Sequence, residues 1–395
     1  MNPNERKSVS AIALIMCFRM LGLFMIFPVF TPYAQHLTHA TPQLIGLALG
    51  IYGLTQACLQ IPFGALSDRF GRKPIICLGL IIFAIGSIVA ASAHSIEGVI
   101  IGRALQGGGA IGSAAIALVA DLTQDTNRVK AMAIIGMSIG LAFALAMVAG
   151  PTLNGIIAVP GIFWLTAFLA LIAIAILYLW VAPGGTEQDP ALHKPNSFKQ
   201  ILTNKQLLCL DLGVFIQHAM LTTVFMILPL VLQQNLRLNL DHQWVFYLPV
   251  LACAYVLMVP FIILAAKKQR MRAVFTCSIV VLLVSQLLLW QWHQTWLNCL
   301  ISLTLFFTAF TLLEAILPSL VSKIAPPANK GAAMGVYSTS QFLGIFFGGV
   351  GGGWIMAHWG FSAIFLACAL SYLFWLLIAI IYQTFPQTFP RKNTR

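Results

Sequence analysis

Five ionisable side chains interrupt long apolar stretches of this sequence, and they are the residues best placed to do chemistry. Arg19, Arg103, Asp211, His218 and Glu314 stand where almost every neighbour is apolar. An ionisable group in hydrocarbon is costly, so it usually faces a partner or a water-filled path. Burial favours the uncharged form of a carboxyl group, and histidine titrates near neutral pH. The pattern indicates proton binding, with Glu314 as the leading carrier.

Each of these residues also has a structural interpretation. Glu314 could be a buried, hydrogen-bonded group that only ties helices together. A lone histidine such as His218 is often structural, and Asp211 could reach the membrane interface. Arg103 could serve either coupling or packing. The sequence leaves these alternatives open.

The remaining reactive residues form no recognisable catalytic or metal-binding set. The eight cysteines stand singly within apolar runs, without a CxxC pair or a Cys/His cluster. The sequence contains no Ser/His/Asp constellation, and its glycine-rich stretches lie in apolar segments rather than in a phosphate-binding loop. We therefore expect neither an enzyme, nor a cofactor, nor a metal site.

The apolar stretches are long enough to cross a bilayer. Of the 395 residues, 59% are hydrophobic and 8% are charged. A spanning helix needs about 20 predominantly apolar residues. The sequence predicts an all-α integral membrane protein with twelve transmembrane helices. They fall at about 9–34, 44–66, 74–94, 97–120, 130–156, 160–182, 207–233, 243–266, 272–292, 295–322, 330–356 and 360–385.

The basic residues lie at alternate ends of these spans. Of 22 Lys and Arg, Arg237 alone falls in the opposite set of loops, and two lie inside spans. This bias places both termini in the cytoplasm, as expected for a multi-pass protein of a bacterial inner membrane. It also accounts for the net charge of +12 and argues against nucleic acid as a partner.

The chain is predicted to consist of two halves. The longest hydrophilic segment, 183–206, is expected to be a cytoplasmic linker with a short surface helix near 198–202. It separates an N-terminal half, 1–182, from a C-terminal half, 207–395. "QIPFGALSDRFGR" ends the second run and "MVPFIILAAKKQR" ends the eighth, which indicates a duplication. Parallel repeats of six spans typically hold the substrate site between them, near mid-bilayer.

One loop concentrates charge. "GALSDRFGRK", residues 64–73, carries four charges in a predicted tight turn between the second and third spans. Gly71 suits the turn, and the basic residues suit the cytoplasmic side. Asp68, however, stands at a helix C-terminus, where a carboxylate opposes the helix dipole. It should therefore need a positive partner.

This loop resembles motif A of the major facilitator superfamily. Its matching positions are Gly64, Asp68, Arg69, Gly71, Arg72 and Lys73. "GRALQGGGAIGSA" is similar to motif B, with Arg103, Gln106 and Gly107 in place. "AGPTLNG" resembles motif C, with Gly150, Pro151 and Gly155. The whole chain looks most similar to YajR-type proteins of the drug:proton antiporter branch. Such proteins can carry a soluble C-terminal domain, whose functions are not carried over, since the given sequence ends soon after the last run.

The resemblance implies a fold and a latch. Spans one, four, seven and ten would line a central cavity, and those spans hold the five ionisable residues. Asp68 would contact the N-terminus of the eleventh span, around 331–334, and Asp121 would pair with Arg72. Together these contacts would hold the cytoplasmic side closed.

The resemblance and the cavity composition together imply a proton-coupled exporter of small amphipathic compounds working by alternating access. Its partners would be protons, a small-molecule substrate and the lipid bilayer, and it would act as a monomer. The alternatives are a proton-coupled carrier of a specific metabolite or siderophore-like solute, and a transport-inactive scaffold or sensor. Candidate cavity residues are Phe24, Phe27, Tyr52, Gln56, Tyr247, Tyr255, Tyr337 and Gln341.

Overall fold

The described residues form a helical bundle and contain no extended β-strand. A computed structural model describes residues 1–182, 198–267, 270–326 and 329–381. Most of the predicted linker and the end of the last predicted span lie outside these ranges, whereas the predicted surface helix is present as Phe198–Leu202. The long helices are Pro3–Phe24, Pro42–Phe70, Arg72–Ala91, Ile96–Gly108 continued by Gly112–Asp121, Asp125–Leu179, Lys205–Gln234, Trp244–Lys267, Met271–Trp292, Trp296–Ile324 and Lys330–Ile381.

Two of the long helices are in fact pairs. Asp125–Leu179 has 55 residues and Lys330–Ile381 has 52. At 1.5 Å per residue each would be roughly 80 Å long, more than twice the hydrocarbon thickness. Each contains one non-helical residue, Ala158 or Gly360, where the chain turns back. The ten long helices of the described chain therefore make twelve spans, numbered here in chain order, and this confirms the prediction.

The two turns occupy equivalent places in the two halves, but only one has glycine. Ala158 has φ 55° and ψ 176°, and Gly360 has φ 76° and ψ −171°. This backbone region is nearly restricted to glycine and costs another residue about 1–3 kcal/mol. Alanine at 158 is thus strained where its counterpart is not.

Replacing Ala158 with glycine is expected to stabilise the protein. Relief of the strain should exceed the entropic cost of glycine, leaving a gain of about 1 kcal/mol. The matched substitution Gly360→Ala should destabilise by a similar amount. Thermal unfolding of the purified variants measures both changes, and equal unfolding temperatures for all three proteins would contradict the account.

Spans three, six, nine and twelve contribute to the lipid-facing surface. Their exposed side chains are large and apolar, as expected for contact with hydrocarbon. Representatives are Ile81, Ile85 and Ile88; Trp164, Phe168 and Leu171; Val280, Val284 and Leu287; and Leu370, Phe374 and Leu377. None of the five interior ionisable residues lies on these four spans.

The two halves meet at one end of the bundle and separate at the other. We call the end with the 64–73 loop the basic end, and the other the opposite end. Gly46 and Gly50 of span two press against Gly349 and Gly353 of span eleven, and Gly53 presses against the Phe342 carbonyl of the same span; we call this contact the glycine seam.

The seam closes the opposite end of the bundle. A Cβ atom at Gly349 would lie 2.8 Å from the Gly50 nitrogen, so only glycine permits this approach. At the basic end, Gly331 and Gly335 of span eleven have open space where a Cβ atom would stand. The space between the halves therefore opens at the basic end.

Candidate functional site

A polar cluster lies on spans seven, ten and eleven, around Glu314. The Glu314 side chain is 39% exposed, although it lies mid-span. The Gln217 amide Nε2 donates to Glu314 Oε2 at 3.2 Å and to the Phe310 carbonyl at 3.1 Å. Glu314 is thus held by a neutral donor while part of its carboxyl group remains open to the central space.

His218 joins this cluster through its second ring nitrogen. Its Nε2 lies 3.7 Å from Glu314 Oε2 and 2.8 Å from Gln341 Nε2, while Nδ1 lies 3.2 Å from the Val214 carbonyl. A carbonyl can only accept, so these contacts assign the proton of neutral His218 to Nδ1 and leave Nε2 to accept from Gln341. A second proton on Nε2 would face Glu314 and require the Gln341 amide to turn.

An aromatic layer bounds the cluster and joins the two halves. Phe310 lies 5.7 Å from the His218 ring and 6.3 Å from Phe143 of span five, measured between ring centroids. Phe24 lies 5.1 Å from Phe143. The predicted cavity residue Tyr255 donates its hydroxyl to the Gly140 carbonyl at 2.9 Å, which links span eight to span five. The Glu314 cluster is therefore bordered, at His218, by an aromatic side chain that also reaches span five.

Several other predicted residues are buried and do not hydrogen-bond to Glu314 in the described structure. Asp211 is 5% exposed, two turns from His218, and its Oδ1 has no partner. Phe27 stacks on Phe225, at the boundary between the halves. Tyr247 and Tyr337 are buried, and both hydroxyl groups are without a partner. Of the predicted cavity residues, Phe24, Tyr255 and Gln341 keep partial exposure.

Arg19 and Arg103 lie together in the first half, away from the Glu314 cluster. Both guanidinium groups stand over the Tyr52 ring, and the Arg19 group also bonds to Gln56. Tyr52 and Gln56 are fully buried. In this state they pack against the arginines rather than line open space, and their assignment to a substrate cavity stays a prediction.

The glycines of motif B explain how span four can pack so tightly. A Cβ at Gly107 would overlap the Tyr52 carbonyl of span two. Gln106 donates to Ser87 Oγ on span three at 2.8 Å. Span four is interrupted at 109–111, between its two helical segments. The motif therefore fixes span four against its neighbours while leaving one break in its middle.

The 64–73 loop forms one of its two expected contacts. Arg72 Nε lies 3.0 Å from Asp121 Oδ2, as predicted, and both side chains are largely buried. Asp68 is 63% exposed and pairs with Arg72. It makes no hydrogen bond to 331–334 of span eleven in the described structure, because the halves are apart at this end.

The other residues of the loop serve the turn and its surroundings. Gly71 has φ 94°. Lys73 Nζ donates to the Val181 carbonyl at 2.5 Å, and Arg69 lies over the Phe70 ring.

Motif C packs span five at the opposite end. A Cβ at Gly150 would collide with the Met25 carbonyl, and one at Gly155 would lie 2.9 Å from Asp241 Cβ. Pro151 lies inside the helix between them. The Gly155 contact joins the first half to the connection between spans seven and eight, so motif C helps to close the opposite end.

Sequence reasoning missed Gln217 and the glycine seam. Gln217 precedes His218 and is a polar residue in an otherwise apolar span, which is a usable signal. The seam glycines follow small-xxx-small spacing at 46, 50 and at 349, 353, a pattern that indicates close helix contact. Neither signal identifies the partner, which lies in a distant part of the chain.

Asp68 of the 64–73 loop and Asp121, the partner of Arg72 on span four, should respond differently to neutralisation. Asp121→Asn removes one partner of a mostly buried ion pair, and should lower the free energy of unfolding by about 1–3 kcal/mol. Asp68→Asn removes an exposed pair with Arg72, and should cost about 0–1 kcal/mol. Thermal unfolding of the two variants compares these costs. A larger loss for Asp68→Asn than for Asp121→Asn would contradict the geometry.

Comparison with known proteins supports the family resemblance. The model of the Major Facilitator Superfamily matches residues 12–271 and 210–394. "Inner membrane transport protein YajR" of Escherichia coli K12 is 45% identical over 383 residues, which cover 96% of this chain and 84% of the relative. An uncharacterized transporter of Buchnera aphidicola from Acyrthosiphon pisum is 38% identical, covering 88% and 90%.

A solved structure gives the same fold at low sequence identity. It is a bacterial homologue of the human lysosomal transporter Spinster, in an inward-facing and occupied conformation. It superposes with a TM-score of 0.80 at 13% identity, covering 98% of both chains. At this identity the likeness concerns the fold alone. The comparisons, the twelve spans and the apolar outer surface agree on one architecture.

Proposed function

Since the chain belongs to the major facilitator superfamily of membrane transporters, we propose that it exports small amphipathic compounds in exchange for protons. The observation that carries this proposal is the Glu314–His218 pair, with 3.7 Å between carboxylate oxygen and ring nitrogen. Both groups can gain and lose a proton, and they lie on two spans that face the central space. The pair would bind the proton, and alternating access would carry it across.

The conformation supports an alternating-access cycle. We propose that the basic end faces the cytoplasm, following the charge bias. The structure would then be the inward-facing state, closed at the glycine seam and open at the Asp68 end. In the outward-facing state the seam would part, and Asp68 would approach the N-terminus of span eleven, where the helix dipole favours a carboxylate. Neutralising Asp68 would then weaken the outward-facing state more than this one.

The surroundings of Glu314 support an amphipathic substrate. Phe24, Phe143 and Phe310 offer aromatic faces, and Gln341 offers an amide near the carboxyl group. An apolar compound with one polar group would satisfy both surfaces. Mutually exclusive binding of the proton and the compound at this place would couple the two fluxes.

Inside-out vesicles provide the test. They would be energised to acidify their interior and loaded with a pH-reporting dye, and a panel of cationic, neutral and anionic amphiphiles would be added. We expect at least one compound to dissipate the proton gradient only when the wild-type protein is present. Vesicles without the protein, and vesicles with an unrelated exporter, serve as controls.

The same assay separates the alternatives. If no compound responds while the control exporter does, a carrier of a specific metabolite or siderophore-like solute becomes the better proposal. If a compound moves with the protons rather than against them, export is wrong and uptake is right. If no solute of any kind moves, the chain acts as a scaffold or sensor.

A further inference from the structure

The first half contains two buried positive charges with no carboxylate beside them. Arg19 is 2% exposed and Arg103 is fully buried, and both guanidinium groups stand over the Tyr52 ring, 5.9 and 5.1 Å from its centroid. Within the described chain, neither group has a carboxylate within ion-pair distance. Isolated charges in a low-dielectric interior are strongly unfavourable unless they are paired.

The partners that these arginines have are all neutral. Arg19 Nη2 donates to Gln56 Oε1 and, at 3.1 Å, to the Gly109 carbonyl at the break of span four. Arg103 Nη1 donates to Gln106 Oε1 at 3.0 Å. Amide oxygens and a helix C-terminus compensate part of the charge, but they supply no full negative charge.

Several donors around Tyr52 are left over. Nε and Nη1 of Arg19, Nη2 of Arg103 and the Tyr52 hydroxyl are buried and without a hydrogen-bond partner. Buried donors are rarely unsatisfied, because each one costs free energy. These atoms form two positive groups and one neutral donor around a single aromatic ring, which is the donor set that a carboxylate or sulfonate accepts from.

We infer that Arg19, Arg103 and Tyr52 form a binding site for one anionic group, a carboxylate or sulfonate carried by the transported solute. The site lies in the first half and is separate from the Glu314–His218 pair in the second. Naming the solute as occupant rests on the proposed function; the anion site itself does not. The substrate is then an amphipathic organic anion.

Tyr52 separates this site from the space between the halves. Its ring lies 6.4 Å from Phe342 of span eleven, so it stands at the junction of the halves. The Tyr52 hydroxyl is free of other partners and can turn without breaking a hydrogen bond. A turn of this side chain would admit an anionic group to both arginines.

Equilibrium binding to the purified full-length protein tests the inference. Sodium benzoate, sodium benzenesulfonate, benzamide, benzylammonium chloride and sodium chloride would each be titrated into low-salt zwitterionic buffer, with the unfolding temperature as readout. We expect the two organic anions to stabilise the wild type at lower concentration than the other probes. Arg19→Gln or Arg103→Gln should weaken that binding about 10- to 100-fold. Arg237→Gln, an exposed arginine outside the site, should leave it unchanged.

A milder variant keeps the test decisive if an arginine variant fails to fold. Tyr52→Phe keeps the ring under both guanidinium groups and removes only the hydroxyl donor. It should fold, and it should weaken binding of the organic anions several-fold. Unchanged binding in Tyr52→Phe and in every arginine variant that folds would overturn the inference.

The other outcomes are also informative. Arginine-dependent binding of chloride alone would support the anion site and overturn the assignment to an organic solute. Equal binding of benzamide or benzylammonium would overturn the site. The measurement needs no pH gradient, so anion binding without proton-driven flux would contradict only the proposed function. Proton-driven flux without anion binding would contradict only this inference.

Discussion

Replacing Glu314 with glutamine is expected to abolish proton-driven export while leaving the fold and the binding of substrate intact. Glutamine has the same shape and can still accept the hydrogen bond from Gln217 at 3.2 Å, but it cannot take up or release a proton. Loss of a positioned proton-transfer group typically costs about 10²- to 10⁴-fold in rate, and we expect proton-driven flux to fall by at least about 100-fold.

Counterflow separates this prediction from simple inactivation. Exchange of labelled for unlabelled substrate at equal pH needs alternating access but no net proton movement, so Glu314→Gln should retain it. His218→Gln is the companion variant, because it keeps Glu314 while removing the ring nitrogen at 3.7 Å. It should alter the pH dependence of proton-driven flux without abolishing it. Full proton-driven flux in Glu314→Gln would show that another group carries the proton.

Replacing Gly349 with alanine is expected to have the second largest effect, because it prevents closure of the opposite end. A Cβ at this position would overlap the Gly46 carbonyl and lie 2.9 Å from Gly50 Cα, both of them backbone atoms that cannot turn away. Overpacking of this kind costs about 1–3 kcal/mol. The cost falls on the state with the seam closed, so that state should lose about 10- to 100-fold in population.

The same helix supplies a matched control. Gly351 has open space where a Cβ atom would stand, so Gly351→Ala should leave transport near the wild-type level. Cysteine probes at the opposite end should become more reactive in Gly349→Ala only, and transport should fall about tenfold or more. Equal transport by the two variants would show that the glycine seam does not have to close.

The membrane architecture could be predicted from the sequence because it depends on local properties. Long apolar runs, alternating charge and the loop at 64–73 define twelve spans without any knowledge of their neighbours. The break at Ala158 follows the same logic, since no helix of 55 residues fits one bilayer crossing. The Arg72–Asp121 ion pair was also predicted, but only through the family resemblance, because 49 residues separate its members.

The site was only partly predictable, because the sequence does not specify which polar surfaces meet. Tyr52 and Gln56 share one face of span two, and that pattern fits a cavity wall and a helix contact equally well. The structure shows them against Arg19 and Arg103. Asp68 does not meet span eleven for another reason: the halves are apart at this end, and the proposed cycle would bring the two together only in the other state. A single sequence encodes both states and does not rank them.

The most direct test of proton-coupled exchange is gradient-driven flux in proteoliposomes that contain only this protein. A compound identified in the vesicle assay would be supplied outside, with the lumen buffered one pH unit more acidic or more alkaline than the medium. We predict concentrative uptake when the lumen is acidic, no accumulation with the reversed gradient, and neither in Glu314→Gln. Equal accumulation of the compound with an acidic and with an alkaline lumen would contradict proton-coupled exchange.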